Sequence, residues 1–261
     1  MTNRTLFVHI GFPKCGSTSL QAALAQSPDV VFPEAGRHGG EHLAIPLKIK
    51  GVDEWTGQWF SQTWVDTQLP LLMQEIEAAE QPVFVSSERL ASSEPEHIQA
   101  LKEMFKGWSI EIVVVTRKLP DFIDSTWRHA VYRHDYHRSR QAFFEDFETF
   151  SFQPAIDYFA RYFPVHELDL YAPDFEDKFR ALTGISIALQ RENVGASSEL
   201  AELLQRVHSL LGSAEFKKRF PAHVKEDMLA AMQGTTTPEF DFFDVPIISM
   251  PVKSEPPKGG F

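Results

Sequence analysis

Short apolar runs alternate with longer amphipathic stretches along most of the chain. Residues 6–10, 82–87 and 110–116 are rich in β-branched and aromatic side chains, which predicts strands. Residues 165–171 alternate enough between apolar and polar positions to predict a fourth strand. Helical spacing and good helix formers predict helices over residues 17–25, 69–79, 95–106, a long stretch after 119, 141–150, 154–163, 175–182 and 198–211.

This order of elements predicts the fold class. Strands that alternate with helices are typical of an α/β fold, here a P-loop-like, three-layer fold with a central parallel sheet flanked by helices. Residues 111–116 are apolar enough to be buried on both faces of such a sheet. Residues 30–65 contain Trp55, Trp59 and Trp64 and predict loops and short helices, and the proline-rich residues 246–261 predict an irregular tail.

Composition narrows the class of protein. The chain has 261 residues, of which 43% are hydrophobic, so it can bury a real core. We expect a single domain over residues 1–261, with residues 212–261 poorly assigned. A single cysteine excludes a disulfide framework and a multi-thiolate zinc site. A net charge of −11 argues against a general nucleic-acid-binding surface, because such a surface must be basic.

Targeting signals are not evident in the sequence. The first residues lack the apolar core of a secretory signal, and no apolar run reaches the roughly 18–20 residues of a membrane-spanning helix. We therefore expect a soluble, cytoplasmic protein with neither a membrane nor a nucleic-acid partner.

The segment between the first predicted strand and helix has the chemistry of an anion site. A helix N-terminus presents unpaired N–H groups and the positive end of the helix dipole. Gly16 allows close approach of the backbone, Lys14 adds a charge, and three hydroxyl residues follow. Alternatively, these hydroxyls only cap the helix. The predicted anion-binding residues are Pro13, Lys14, Cys15, Gly16, Ser17, Thr18 and Ser19.

Two familiar loop types do not fit this segment. A Walker A loop places its lysine directly after the second glycine, whereas Lys14 precedes Gly16 by two residues. A cysteine phosphatase requires an arginine six positions after its cysteine, and that position is Gln21. A thiol beside a lysine at a helix N-terminus has a lowered pKa, yet Cys15 is better interpreted as a small loop residue.

The segment from His9 to Gln21 resembles the 5′-phosphosulfate loop of the sulfotransferases, specifically their bacterial and carbohydrate-type branch. That family uses 3′-phosphoadenosine 5′-phosphosulfate (PAPS), and its loop has the pattern P-K-[ST]-G-[ST]-T. Cys15 departs from the pattern but still offers its backbone N–H. The weaker parts of the resemblance extend it over roughly residues 5–211. The matching residues are Pro13, Lys14, Gly16, Ser17 and Thr18.

A second motif strengthens the resemblance. In the family, an arginine at a strand end and a serine eight residues later bind the 3′-phosphate, which implies this role for Arg117 and Ser125. A guanidinium can bind a phosphate with two parallel hydrogen bonds. Alternatively, Arg117 forms a surface ion pair, for example with Asp121.

The resemblance implies transfer of a sulfuryl group from PAPS, without a metal, to a small-molecule or carbohydrate hydroxyl or amine. Lys14 would neutralise the charge that develops between phosphate and sulfate. Glu88 follows a predicted strand at the edge where α/β sheets carry their sites, and family members have a glutamate base there. Alternatively, Glu88 pairs with Arg89 or Arg117. A kinase-like phosphotransferase and a non-catalytic nucleotide-binding protein stay open as alternative functions.

Three histidines are rival bases: His129, His134 and His137. They belong to residues 126–140, a stretch with four arginines and one aspartate, which we call the basic stretch. It is either the mouth of the donor site, a contact for an anionic acceptor, or a solvated helix face.

Overall fold

The computed structural model of the chain describes residues 4–51, 54–55, 58–190 and 197–233. Its central feature is a parallel sheet of four strands in the order β4-β1-β5-β6. A separate antiparallel pair is formed by β2 and β3. The strands are β1 (Thr5–His9), β2 (Glu54–Trp55), β3 (Gln58–Trp59), β4 (Val83–Ser86), β5 (Ser109–Thr116) and β6 (Val165–Asp169).

Helices occupy most of the chain between the strands, and a short 3₁₀ helix follows β4. The helices are α1 (Ser17–Gln26), α2 (Ala44–Lys50), α3 (Gln62–Ala78), the 3₁₀ helix (Glu88–Ser92), α4 (Pro95–Met104), α5 (Leu119–His134), α6 (Arg140–Asp146), α7 (Gln153–Ala160), α8 (Phe175–Thr183), α9 (Ser198–Leu211), α10 (Ser213–Arg219) and α11 (Ala222–Gln233). The predicted α/β class with a central parallel sheet flanked by helices is therefore confirmed. No helix within the described ranges is long and apolar enough to cross a membrane.

The predicted elements lie close to the observed ones, with a few instructive differences. α3 begins seven residues before its predicted start, because Ser61 caps it and Pro70 is accommodated inside it. α6 ends at Asp146, four residues before its predicted end. α10 and α11 occupy part of the region that the sequence left unassigned. The predicted irregular tail, residues 246–261, lies outside the described residues, as do the side chains of Trp55 and Trp59.

The sheet is stable because most residues of the two inner strands, β1 and β5, and of the edge strand β4 are buried. All four residues of β4 are buried, and so are the last five of β5. Phe7, Phe84 and Val113 contribute to an apolar cluster that also includes residues of α1 and α8. Each fully buried side chain of this size contributes roughly 1.5–3 kcal/mol. The apolar pattern of residues 111–116 thus predicted burial on both sides correctly.

The contacts of the chain define two compact units. The first comprises residues 1–119 and 151–194 and contains the four-stranded sheet. The second comprises residues 120–150 and 195–261 and contains α6, α9, α10, α11 and nearly all of α5. The single catalytic domain inferred from the sequence stays a prediction.

Candidate functional site

Sheet topology brings three sequence-distant turns to one edge of the first unit. β1 lies between β4 and β5, and its last residue, His9, pairs with Ser86 on one side and Val113 on the other. Because all three strands are parallel, the turns that follow them leave the same edge. The chain order also reverses beside β1, and open α/β sheets bind ligands at such a reversal. The turns carry Lys14, Glu88 and Arg117, three of the predicted site residues.

The turn after β1 has an unusual backbone. We call residues 12–19 the anion loop. Lys14 has a φ of 67° and Gly16 a φ of 82°, both in the left-handed region. A lysine rarely adopts this conformation, and such residues cluster at functional sites. The sequence predicted that the N–H of Cys15 faces a ligand, but it instead donates to the carbonyl of Phe12 at 3.2 Å and closes the turn. Any Cβ at Gly16 would collide with the side chain of Leu170, so this position requires glycine.

The anion loop leads directly into the N-terminus of α1. Gly16 is the N-cap, and no side chain caps the helix there. The first helical bond runs from the N–H of Leu20 to the carbonyl of Gly16 at 3.1 Å. The N–H groups of residues 17 and 18 precede it and have no acceptor within the helix. The hydroxyls therefore do not occupy the capping position that the alternative interpretation required.

Ser17 and Thr18 differ in their surroundings. Thr18 is exposed, whereas Ser17 is 1% exposed. Its Oγ is buried and has no hydrogen-bond partner in the part of the chain that the structure describes. A buried hydroxyl without a partner costs free energy, roughly 1–3 kcal/mol. A ligand oxygen that accepted the Ser17 proton would remove this cost, so Ser17 suits an anion that binds at the loop.

Arg117 is attached to the anion loop. Its Nη1 donates to the carbonyl oxygen of Lys14 at 2.9 Å, and its guanidinium lies 4.8 Å from the ring centre of Tyr171. Its Nε is buried and lacks a hydrogen-bond partner among the described residues. Arg117 therefore holds the backbone of Lys14 and stacks on Tyr171. Ser125, its predicted companion, is half-buried on α5 in the second unit.

Glu88 occupies a turn that a buried carboxylate holds in place. It begins the 3₁₀ helix, between Ser87 and Arg89. Ser87 Oγ donates to Glu41 Oε2 at 2.8 Å, and Arg89 Nε donates to Glu41 Oε1 at 2.7 Å. Both side chains of the Glu41–Arg89 pair are nearly inaccessible to solvent. The hydrogen bonds of Glu41 to the two neighbours of Glu88 thus fix the position of Glu88. Arg89 pairs with Glu41.

The environment of Glu88 is suited to proton transfer. Burial raises the pKa of its carboxyl, and the nearby Glu41 carboxylate raises it further. The Ser17 hydroxyl, the Lys14 ammonium and the Arg89 guanidinium lower the same pKa by smaller amounts. Glu88 therefore lies close to Lys14 and Ser17, although its approach to Ser17 does not meet strict hydrogen-bond geometry. A carboxyl with a raised pKa beside a lysine is a better proton acceptor than an ordinary carboxylate.

Cys15 has the opposite character to a reactive thiol. Its side chain is fully buried. Burial raises the pKa of the thiol, the Glu88 carboxylate raises it further, and Arg117 lowers it. Because the thiolate is the nucleophile, this environment disfavours covalent chemistry at Cys15. The interpretation of Cys15 as a small loop residue agrees with these observations.

The histidines named as rival bases lie in the second unit. The rings of His129 and His134 have centroids 5.3 Å apart, and those of His137 and His208 are 5.1 Å apart. The four arginines of the basic stretch all pair with carboxylates. Arg128 and Arg140 contact Asp124, Arg133 contacts Glu226, and Arg138 contacts Asp146. Of the three interpretations of the stretch, this pairing favours the solvated helix face over an anion-binding one.

Two parts of the site were not assigned from the sequence. Glu41, which anchors the turn around Glu88, lies in a stretch predicted only as loops and short helices. His9 is fully buried at the end of β1, and its Nδ1 is 2.8 Å from Ser86 Oγ. A histidine within an otherwise apolar strand was the available signal for His9. No local pattern identified Glu41.

Comparisons with known proteins are distant. No protein-family model matches this chain, and no curated protein matches it either. A solved sulfotransferase from Alicyclobacillus acidocaldarius is 15% identical, with a TM-score of 0.47 over 90% of this chain and 97% of that one. A structure from the PezAT chromosomal toxin–antitoxin system of Streptococcus pneumoniae is 10% identical, with a TM-score of 0.31 over 80% and 86%. Likenesses this distant assign no function to the chain.

Proposed function

We propose that this protein transfers a sulfuryl group from PAPS to a hydroxyl or amine of an acceptor. One observation carries the proposal: the adjacent turns after β1 and β4 bring together Lys14, the buried Ser17 hydroxyl and the Glu88 carboxyl, whose pKa is raised. A cation, an anion-binding helix N-terminus and a proton acceptor are the parts that such a transfer needs. The sequence pattern of the anion loop supports PAPS as the donor.

The first unit offers donors and positive charges that fit the phosphate and sulfate groups of PAPS. The N–H groups of residues 17 and 18 and the Ser17 hydroxyl are donors without an acceptor inside the helix, so they suit phosphate and sulfate oxygens. Lys14 supplies a positive charge at the same loop. Arg117 supplies a guanidinium with a buried Nε that has no partner within the described ranges. We assign the 3′-phosphate to Arg117, and Ser125 stays a sequence-based prediction for that contact.

Each residue then has a defined task. PAPS supplies a sulfuryl group whose bond to the bridging phosphate oxygen breaks as the acceptor oxygen or nitrogen bonds to sulfur. Glu88 accepts the proton that the acceptor loses. Lys14 stabilises the negative charge that develops on the leaving phosphate. The Glu41 anchors on Ser87 and Arg89 keep the Glu88 carboxyl in position for repeated turnover.

The donor can be identified by ligand-induced stabilisation. We expect 3′,5′-adenosine bisphosphate to raise the melting temperature, because a ligand at a hundredfold excess over its Kd stabilises the folded state by about 2.7 kcal/mol. ATP with Mg²⁺ serves as the matched control. A shift with ATP and Mg²⁺ alone would overturn the proposal in favour of a kinase-like phosphotransferase.

Turnover requires a second experiment. PAPS is incubated with the protein and a panel of sugars, aliphatic alcohols, phenols and amines, with EDTA present, and release of 3′,5′-adenosine bisphosphate is followed. We expect at least one acceptor class to accelerate the release. Binding of the bisphosphate without any acceptor-dependent release would indicate a non-catalytic nucleotide-binding protein.

A further inference from the structure

A buried line of polar side chains lies behind the anion loop. Gln21 Nε2 donates to Ser86 Oγ at 2.9 Å, and Ser86 Oγ is 2.8 Å from His9 Nδ1. His9 and Ser86 are at most 1% exposed, and Gln21 is 6% exposed. These residues come from α1, β4 and β1. We call them, from Gln21 through Ser86 to His9, the polar chain.

The hydrogen bonds of the polar chain have one direction. Ser86 Oγ accepts from Gln21, and His9 Nδ1 is its other hydrogen-bond partner among the described residues, so we assign the single hydroxyl proton of Ser86 to His9 Nδ1. Burial lowers the pKa of His9 to about 3, so the ring is neutral at ordinary pH. A neutral imidazole that accepts at Nδ1 carries its proton on Nε2. The far end of the polar chain is therefore a donor.

That donor points toward the anion loop. A Cβ built on Gly11 would lie 2.6 Å from His9 Nε2 and 3.1 Å from Ser17 Oγ, so both atoms surround the same small space. Both are buried, and each lacks a hydrogen-bond partner in the described part of the chain. A donor and a hydroxyl thus lie side by side without a bond between them. Leaving two such groups without a hydrogen bond costs stability.

We propose that His9 is a positioning residue that orients the Ser17 hydroxyl for the bound anion. When a ligand oxygen accepts the Ser17 proton, the Ser17 oxygen accepts the Nε2 proton of His9. Every donor from Gln21 to Ser17 then points toward the ligand, and hydrogen bonds in such a series strengthen one another. The identity of the ligand rests on the proposed function, whereas the coupling between His9 and Ser17 requires only that an anion binds at the loop.

The position of His9 in the polar chain also explains why residue 11 is a glycine. Any other residue there would place its Cβ 2.5 Å from the imidazole carbon Cε1 of His9, closer than real Cβ atoms approach. The histidine would have to leave the space that it shares with Ser17. Gly11 therefore keeps that space open for the two side chains.

A double-mutant cycle on ligand affinity tests the coupling. His9→Asn keeps a polar group near Ser86 but removes the distal donor, whereas His9→Gln restores a donor close to the Nε2 position. We expect His9→Asn to weaken binding of 3′,5′-adenosine bisphosphate about tenfold by titration calorimetry, and His9→Gln to stay within about threefold of wild type. In a Ser17→Ala background, His9→Asn should change affinity by less than about twofold.

A general structural role for His9 predicts a different result. His9→Asn would then weaken binding by the same factor with serine or alanine at position 17, and this outcome overturns the proposal. If His9→Asn does not fold, Ser86→Ala replaces it in the same cycle, because it removes the bond that sets the His9 tautomer. Melting temperatures of the ligand-free variants report folding separately from coupling.

The two proposals can fail separately. If the wild type does not bind the bisphosphate, the proposed function fails, and the cycle is repeated with inorganic pyrophosphate as the probe. Coupling between His9 and Ser17 toward pyrophosphate would still support the polar chain. Additive effects on pyrophosphate, or no binding of pyrophosphate by the wild type, would overturn it.

Discussion

The anion loop and the basic stretch both concentrate polar chemistry, yet the structure treats them in opposite ways. In the basic stretch of the second unit, four arginines each contact a carboxylate. In the anion loop of the first unit, the Ser17 hydroxyl is buried without a partner among the described residues, and so is the neighbouring Nε2 of His9. The arginines of the more highly charged stretch are paired with carboxylates, whereas the less charged loop keeps a buried hydroxyl without a partner among the described residues.

The difference shows that local charge is a poor guide to a binding site. Asp124, Asp146 and Glu226 lie outside residues 126–140, so a count within the stretch misses the groups that neutralise it. The unmet hydrogen-bonding capacity at the anion loop arises from burial and backbone geometry. Leaving polar groups unpaired costs stability, and proteins retain such costs mainly where a ligand or a reaction uses them.

The largest effect that would test this contrast is expected from Glu88→Gln. The variant keeps the size of the side chain and its place between Ser87 and Arg89 but cannot accept a proton. Because a positioned base typically contributes 10²–10⁴-fold, we expect turnover to fall by about 10³-fold. Affinity for 3′,5′-adenosine bisphosphate, measured by calorimetry, should stay within about threefold. Turnover at the wild-type rate would exclude Glu88 as the base.

The pH dependence sharpens the same assignment. Glu88 acts as a base only when ionised, so turnover should rise as pH rises through its raised pKa. Stability should change in the opposite sense. A folded-state pKa above the ordinary value near 4.5 favours the protonated, folded form, so the unfolding free energy falls as pH rises above 4.5. Denaturant titrations at several pH values should show that the unfolding free energy of Glu88→Gln no longer declines in this way. An unchanged decline in the variant would mean that another titratable group causes it.

Removal of Lys14 should produce the next largest effect. Lys14→Ala deletes the positive charge of the anion loop, and loss of one positioned electrostatic group costs about 10²–10³-fold in turnover. The substitution leaves most of the backbone strain at this position in place, because alanine disfavours the same left-handed φ. Lys118→Ala removes an exposed lysine two residues beyond β5 and serves as the matched control. Similar losses in both variants would mean that Lys14 acts only through net charge.

Arg117→Lys should have a smaller and more selective effect. Lysine keeps the charge but loses the planar fork that holds the Lys14 carbonyl, so we expect roughly tenfold weaker binding of 3′,5′-adenosine bisphosphate. Comparison with 5′-AMP separates the two roles of Arg117. A larger loss for the bisphosphate than for 5′-AMP would support contact with the 3′-phosphate. Equal losses would leave only the contact with the loop backbone.

Much of the fold could be predicted from sequence because apolar periodicity is a local signal. The burial of β5 and the bounds of α9 follow directly from their apolar positions, and Gly184 ends α8 with a φ of 75° as expected of a C-cap. The start of α3 could not be predicted in the same way, because Pro70 normally marks a helix boundary. There, packing of the helix outweighs the local cost of proline.

The candidate site likewise combines features with a local sequence signal and features that depend on long-range contacts. The strand, loop and helix around residues 12–19 were predictable because these residues are consecutive and Gly16 adopts a left-handed φ that favours glycine. The contacts that tune it are long-range: Glu41 meets residues 87 and 89, and His9 meets residue 86. Such contacts depend on strand order, which one sequence specifies only through the complete fold. The raised pKa of Glu88 therefore could not be predicted from the sequence, because it depends on where Glu41 and Lys14 lie in the fold.

The smallest effect is expected where the sequence showed the greatest concentration of charge. Arg138 and Arg140 have side chains 51% exposed and pair with Asp146 and Asp124. Exposed pairs contribute at most about 1 kcal/mol and are screened by salt, so the double variant Arg138→Ala/Arg140→Ala should lose little stability. Its affinity for 3′,5′-adenosine bisphosphate should stay within about twofold of wild type, because each arginine already pairs with a carboxylate. A tenfold loss of affinity at constant melting temperature would reverse the contrast and make the basic stretch part of the donor site.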